Sequence, residues 1–137
     1  MIPAGEGRYL SGQSAVVFGC GTIGIAAAAA FSYFGMARVM LCDFSDFRLN
    51  LAKRLGFAVC NPTQEDFRAR ALDYFGTAPS LSGQTANIDC WLDAGGAPSI
   101  LEDFLRSGKI ESRFVSVGVN NAPRIIDLLH MTYAQQS

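Results

Sequence analysis

The feature that most limits what this chain can become is the turn Gly19-Cys20-Gly21-Thr22-Ile23-Gly24. It stands between two segments of different character. Before it, Ser14-Ala15-Val16-Val17-Phe18 is a short apolar run of the kind that forms a strand buried on both faces. After it, Thr22 to Phe34 is rich in alanine and favours a helix, with Gly35 placed to cap it. A bare G-x-G-x-x-G is a weak signal, and the strand before it and the helix after it give it weight. In that setting each glycine has a task. Gly19 permits the tight turn, Gly21 lets a pyrophosphate approach the backbone, and Gly24 allows the helix to pack close to the sheet. Free N–H groups at the helix start then meet the phosphates.

The rest of the chain repeats the alternation. Arg38 to Cys42 reads as a second strand, and Ser45 to Leu55 as a helix with Ser45 as N-cap and Gly56 just past its end. In that helix Phe47, Leu51 and Leu55 recur every four residues, and Leu49 and Ala52 widen the face expected to meet the core. Phe57 to Cys60 is a third strand stopped by Asn61-Pro62, and Thr63 caps a helix through about Tyr74. Gly76 to Gln84 is expected to be a surface loop. Ile88 to Leu92 is the fourth strand, Pro98 opens a helix reaching about Leu105, Phe114 to Gly118 is the fifth strand, and Ile126 to Tyr133 a terminal helix. Strands and helices alternating at this spacing predict an α/β fold: a doubly wound, mostly parallel sheet with helices on both faces, formed by one domain over residues 1–137.

Asp43 ends the second strand, 19 residues beyond Gly24. A carboxylate there can accept hydrogen bonds from both hydroxyls of an adenosine ribose, and it would repel a 2′-phosphate, which favours NAD over NADP. The competing reading is a turn-forming or capping acid. Arg48, five residues on, stands either beside the ribose or adenine or in solvent. Ala94-Gly95-Gly96 and Gly118 follow the fourth and fifth strands, where small residues would let the nicotinamide half of the cofactor approach; ordinary turn glycines are the alternative.

Composition excludes several classes. A net charge of −1 with scattered Lys and Arg leaves no basic face for nucleic acid or an acidic membrane surface. The longest apolar stretch, Ile23 to Phe34, is shorter than the roughly 20 residues a membrane helix needs. Met1 to Gly7 lacks the basic and apolar regions of a signal peptide, so a soluble, cytoplasmic protein is expected. Cys20, Cys42, Cys60 and Cys90 contain no Cys-x-x-Cys pair, and His130 is the sole histidine, so no zinc site of the usual spacing is expected and the thiols read as reduced and buried. His130 itself reads as structural rather than catalytic.

Together these residues resemble the nucleotide-binding (Rossmann) domain of the medium-chain, zinc-type alcohol dehydrogenase superfamily, nearest its polyol and threonine dehydrogenase branch. The resemblance is carried by Gly12 to Gly24, by Cys42-Asp43-Phe44-Ser45-Asp46-Phe47-Arg48-Leu49, by Ala52-Lys53-Arg54-Leu55-Gly56, by Ile88-Asp89 through Ala94-Gly95-Gly96, and by Val115-Ser116-Val117-Gly118-Val119. It implies that Gly19, Cys20, Gly21, Thr22, Ile23 and Gly24 hold the pyrophosphate of NAD, and that Asp43 and Arg48, with Phe44 between them, hold the adenosine ribose. It also implies that Ala94, Gly95, Val117, Gly118 and Val119 lie beside the nicotinamide.

In such a family the zinc ligands and the alcohol pocket belong to another domain. The chain is therefore expected to be the cofactor half of a longer enzyme, without a catalytic residue or metal ligand of its own and without the last strand of its sheet. An exposed sheet edge of that kind makes a homo-oligomer an expected partner. Two other readings fit parts of the pattern: a non-catalytic module that senses NAD(H), and an S-adenosylmethionine-dependent methyltransferase, which shares the glycine turn and the acid after the second strand.

Overall fold

The computed structural model describes residues 11–95, 97–118 and 128–137, with the backbone alone at residues 98 and 128–130. Strand β1 (Ser14–Phe18) is buried along its whole length, as an apolar run with no polar alternation requires. It pairs in parallel with β2 (Arg38–Cys42) on one side and β6 (Cys90–Asp93) on the other. Strands β3 (Ala58–Cys60) and β7 (Arg113–Ser116) complete a five-stranded sheet of order β3-β2-β1-β6-β7. The chain builds outward from β1 through β2 to β3, then crosses to β6 on the opposite side, so the order reverses beside β1. Ligands of open α/β sheets bind outside the carboxyl ends of the strands at such a point.

Helices α1 (Thr22–Tyr33) and α2 (Asp46–Arg54) cover one face, packing on a core that includes Ala15, Val17, Ala28, Leu41, Leu49 and Ala52. Helices α3 (Phe67–Phe75) and α4 (Pro98–Ser107) cover the other, over Val16, Met40, Ile88, Trp91 and Phe104. Trp91 organises that second core: it stacks on Phe18 at 5.9 Å and meets Phe67 and Phe104 edge-on at 5.9 and 5.8 Å. The α5 helix (Leu128–Ala134) returns the chain to β7, where Ser137 donates to the Ser112 carbonyl and accepts the Phe114 N–H. No helix among the described residues is long and apolar enough to cross a membrane.

Three expectations from the sequence are corrected. The apolar stripe Phe47, Leu51 and Leu55 faces outward, Phe47 being 85% exposed, while Leu49 and Ala52 alone turn to the core. At 100° per residue those two sets lie on different sides of the helix, and the small Ala52 lets α2 settle close on β2 and β3. The stretch from Gly76 to Gln84 is not a loop: β4 (Thr77–Ser80) and β5 (Gly83–Ala86) form an antiparallel hairpin separate from the main sheet. Gly76 and Gly83 supply the positive φ at its two bends (78° and 119°), and Thr85 fastens it by donating from Oγ1 to the Ser107 carbonyl at 2.6 Å. Finally, α3 begins at an Asp66 cap, not at Thr63, whose N–H and hydroxyl both go to the Asn61 side chain.

Candidate functional site

Register brings the site together. Phe18 stands opposite Cys42 of β2 and opposite Asp93 of β6, so the three strands end level and deliver Gly19, Asp43 and Ala94 side by side. The Gly19 N–H donates to the Cys42 carbonyl and the Ala94 N–H to the Phe18 carbonyl, both at 2.8 Å. Beyond these ends lies a cleft of about 340 Å³, walled by Gly19, Gly21, Asp43, Phe44, Arg48, Ala94 and Gly95 among the expected residues.

The glycines differ in what they do. A Cβ on Gly24 would lie 1.7 Å from the Gly19 carbonyl oxygen, so Gly24 is demanded by the packing of α1 on the turn. Gly19 has φ +106°, and its Cβ would press to 2.9 Å on the Gly95 N–H. Gly21 is another matter. Its φ of −79° is open to any residue and its Cβ would meet nothing within 4 Å, yet it borders the cleft. The protein's own packing does not ask for glycine at this position.

No side chain caps α1, whose N-cap is Gly21, or α4, whose N-cap is Ala97, whereas Ser45 caps α2 and Asp66 caps α3. Gly21 and Ala97 both border the cleft. The two uncapped helix starts therefore meet in one place, where their N–H groups and dipoles favour an anion.

Asp43 closes the opposite wall. Its Oδ2 accepts the Cys20 N–H at 2.8 Å and its Oδ1 the Ser45 N–H at 2.9 Å, pinning the glycine turn to the start of α2. The turn-forming role weighed from the sequence is thus real, but each carboxylate oxygen retains acceptor capacity, and Asp43 borders the cleft. Arg48 lies 4.0 Å from Oδ2 with its side chain 60% exposed, an ion pair of little energetic weight. Asn61, read from sequence only as a strand stop, holds this wall: its Nδ2 donates to the Phe44 carbonyl at 3.2 Å and to Asp46 Oδ1 at 2.9 Å. The bond from Asn61 and a second, from Gln64 Nε2 to Asp46 Oδ2 at 2.6 Å, hold the Asp46 carboxyl below the usual range.

Other expected residues lie elsewhere. Cys20 is buried beneath the turn, its thiol pushed up to about 11 by burial and then by the neighbouring Asp43. Thr22 and Ile23 are exposed on the first turn of α1. The Val117 and Gly118 N–H groups both donate to the Asp93 carbonyl at 2.9 Å, and neither residue borders the cleft; Val119 and the His130 side chain fall outside the described residues. Ala94 and Gly95, linked to the nicotinamide by the resemblance, share their wall with Gly19 and face the same cleft as Asp43. Asp93, which the sequence reading passed over, builds that corner: its buried Oδ1 accepts the Gly95 N–H at 3.0 Å.

Among the described residues no three His, Cys, Asp or Glu side chains assemble into a group able to hold a metal. All four cysteines are free and buried. Burial raises the Cys42 and Cys90 thiols, Cys42 also through its hydrogen bond with Cys60; the same bond lowers the Cys60 thiol, which complete burial keeps from reagent. Alkylation with iodoacetamide at pH 7.5 is therefore expected to label none of the four in the folded protein within minutes and all four in denaturant, read by intact mass. Rapid labelling of the folded chain would contradict the burial described here.

Comparison with known proteins agrees with this geometry. The family described as zinc-binding dehydrogenase matches residues 22–137. An L-threonine 3-dehydrogenase of Bacillus velezensis is 29% identical over 123 residues, covering 90% of this chain and 33% of the relative. A scyllo-inosose 3-dehydrogenase of Thermotoga maritima is 37% identical over 96 residues, covering 69% of this chain and 22% of the relative. The structure of an alcohol dehydrogenase from Thermus sp. ATN1 superposes with a TM-score of 0.77 at 26% identity, over 96% of this chain and 36% of that one. The chain thus spans about a third of the length of the threonine dehydrogenases it matches. From sheet order, glycine turn and matched length alike, the chain belongs to the zinc-binding dehydrogenase family, and it corresponds to that family's nucleotide-binding half.

Proposed function

We propose that this chain binds NAD(H) and serves as the cofactor half of a cytoplasmic dehydrogenase acting on a secondary alcohol of the polyol or threonine type. The observation that carries the reading is the pairing in one cleft of Gly21, which the protein's own packing does not require to be glycine, with Asp43. The pyrophosphate lies over Gly21 at the start of α1, and the Asp43 carboxylate accepts the ribose hydroxyls with Arg48 alongside. Ala94 and Gly95, in the same cleft wall as Gly19, stand beside the nicotinamide as the resemblance implies. The nicotinamide half extends toward Val117, Gly118 and Val119. The relatives named for threonine and inosose, both oxidised at an alcohol carbon, support the substrate class.

Bound NAD⁺ supplies the hydride acceptor. The residues of this chain bind and orient it; the alcohol site and its zinc belong to a part of the enzyme outside these residues. By itself this chain is expected to bind cofactor without turning over alcohol.

Calorimetric titration with NAD⁺, NADP⁺ and S-adenosylmethionine tests the assignment. NAD⁺ is expected to bind best. Asp43→Asn should weaken NAD⁺ by roughly 10- to 100-fold, the range for hydrogen bonds to a charged group, and should narrow the gap to NADP⁺ by lifting the charge repulsion. That narrowing is a readout that a loosened turn alone would not produce. Tighter binding of NADP⁺ by the unaltered protein would refute the ribose role, and a preference for S-adenosylmethionine would refute the cofactor.

A further inference from the structure

The cleft has two polar ends. Asp43 and Arg48 form one, at the end of β2; Ser99 and Asp103 of α4 form the other, with Phe67 and Ile100 among the apolar residues between them. Ile100 and Asp103 are three residues apart and so share one face of α4. Phe67 and Asp103 also border an adjoining groove of about 260 Å³ lined by Trp91, so the two cavities meet at these residues. A flat ring held by its ribose at Asp43 and laid along this apolar stretch would turn its far edge toward Asp103.

Asp103 is well suited to meet a donor there. Among the described residues no hydrogen bond or ion pair holds its carboxylate, although Arg106 lies one turn away. Burial pushes its pKa up, Arg106 opposes the shift, and Glu102 adds to it. An exposed carboxylate that no protein group holds is free to accept a hydrogen bond from a ligand in the cleft.

Resting on the dinucleotide reading above, we propose that Asp103 reads the exocyclic amino group of the purine, so that the cleft selects adenine over hypoxanthine. The amino group donates to the carboxylate. The oxo group of hypoxanthine instead sets lone pairs against it, and an ionised carboxylate has no proton to offer. Asp43, acting on the ribose, does not distinguish the two bases, so the discrimination falls to Asp103.

The test is calorimetric titration of the whole chain with AMP and with IMP, for the unaltered protein and for Asp103→Asn. AMP is expected to bind on the order of tenfold more tightly than IMP, the scale of one hydrogen bond to a charged group in a partly exposed site. In Asp103→Asn the ratio should fall close to one, because the amide can accept from an amino group or donate to an oxo group. The residue is exposed and unpaired, so its thermal midpoint should not move; a fallen midpoint would itself contradict the unpaired carboxylate described here. Equal binding of AMP and IMP by the unaltered protein, or an unchanged ratio in the variant, would overturn the role of Asp103 and leave the dinucleotide reading standing. If neither nucleotide bound, the dinucleotide reading would fail and this inference with it.

Discussion

Gly24→Ala is expected to destabilise the domain by more than about 3 kcal/mol, above the usual range for an overpacked core. The sign is the informative part, since replacing glycine by alanine inside a helix ordinarily gains up to about 1 kcal/mol. Here the new methyl would lie 1.7 Å from the Gly19 carbonyl oxygen and 2.9 Å from its carbon. Neither atom can easily retreat. The Gly19 N–H is bonded to the Cys42 carbonyl in β2, and the far side of Gly19 already rests against Ala94 and Gly95. Relief requires α1 to lift away from β1, which opens the core around Val17 and Ala28. Against a total stability of about 5–15 kcal/mol for a domain of this size, such a loss leaves a partly unfolded population at 37 °C. Urea unfolding followed by circular dichroism measures it, and a midpoint equal to that of the unaltered protein would show that the turn is looser than described.

Much of this was legible in the sequence where the cause is local. A strand buried on both faces, as β1 is, shows as an unbroken apolar run, and Gly35 and Gly56 mark helix ends with the positive φ their positions need. Asp43 was legible too, because its distance from the glycine turn follows from one helix and one strand. What stayed hidden depends on contacts between distant segments. The outward face of α2 is decided by how near β2 and β3 allow the helix to come, which favours Ala52 over the larger Phe47. The hairpin from Thr77 to Ala86 has too little apolar content to show as strands, and it is secured by Thr85 reaching Ser107 at the end of α4. The same holds for the site. Ala94 and Gly95 were visible as small residues after a strand, but their place opposite Asp43 follows from the level ends of β1, β2 and β6. Asn61 carried only the signal of Asn-Pro after a strand, and its grip on Phe44 and Asp46 appears once β3 lies beside β2.

Gly21→Ala separates the site from the scaffold more sharply than any other change. Gly21 and Gly24 are three residues apart in one motif, yet only Gly24 is held by packing. At Gly21 the backbone is extended, with φ −79° and ψ −171°, and a methyl group would stand in open space at a residue that borders the cleft. The folded protein should accept it at a cost below about 1 kcal/mol, the loss expected when alanine replaces a better N-cap. Cofactor binding should respond quite differently. The methyl would occupy the approach of the pyrophosphate to the uncapped N–H groups of α1, and losing one such charge-assisted contact weakens NAD⁺ by at least about tenfold. Gly21→Asp sharpens the contrast: aspartate is a favoured N-cap, so stability should hold or rise, while its charge repels the phosphates from the helix start. Thermal midpoints and NAD⁺ titrations of both variants decide the matter. If both bind NAD⁺ as the unaltered protein does, the glycine at this position does not serve the cofactor. If both stay folded and lose NAD⁺, with Asp the worse, then the space beside Gly21 is where the pyrophosphate lies.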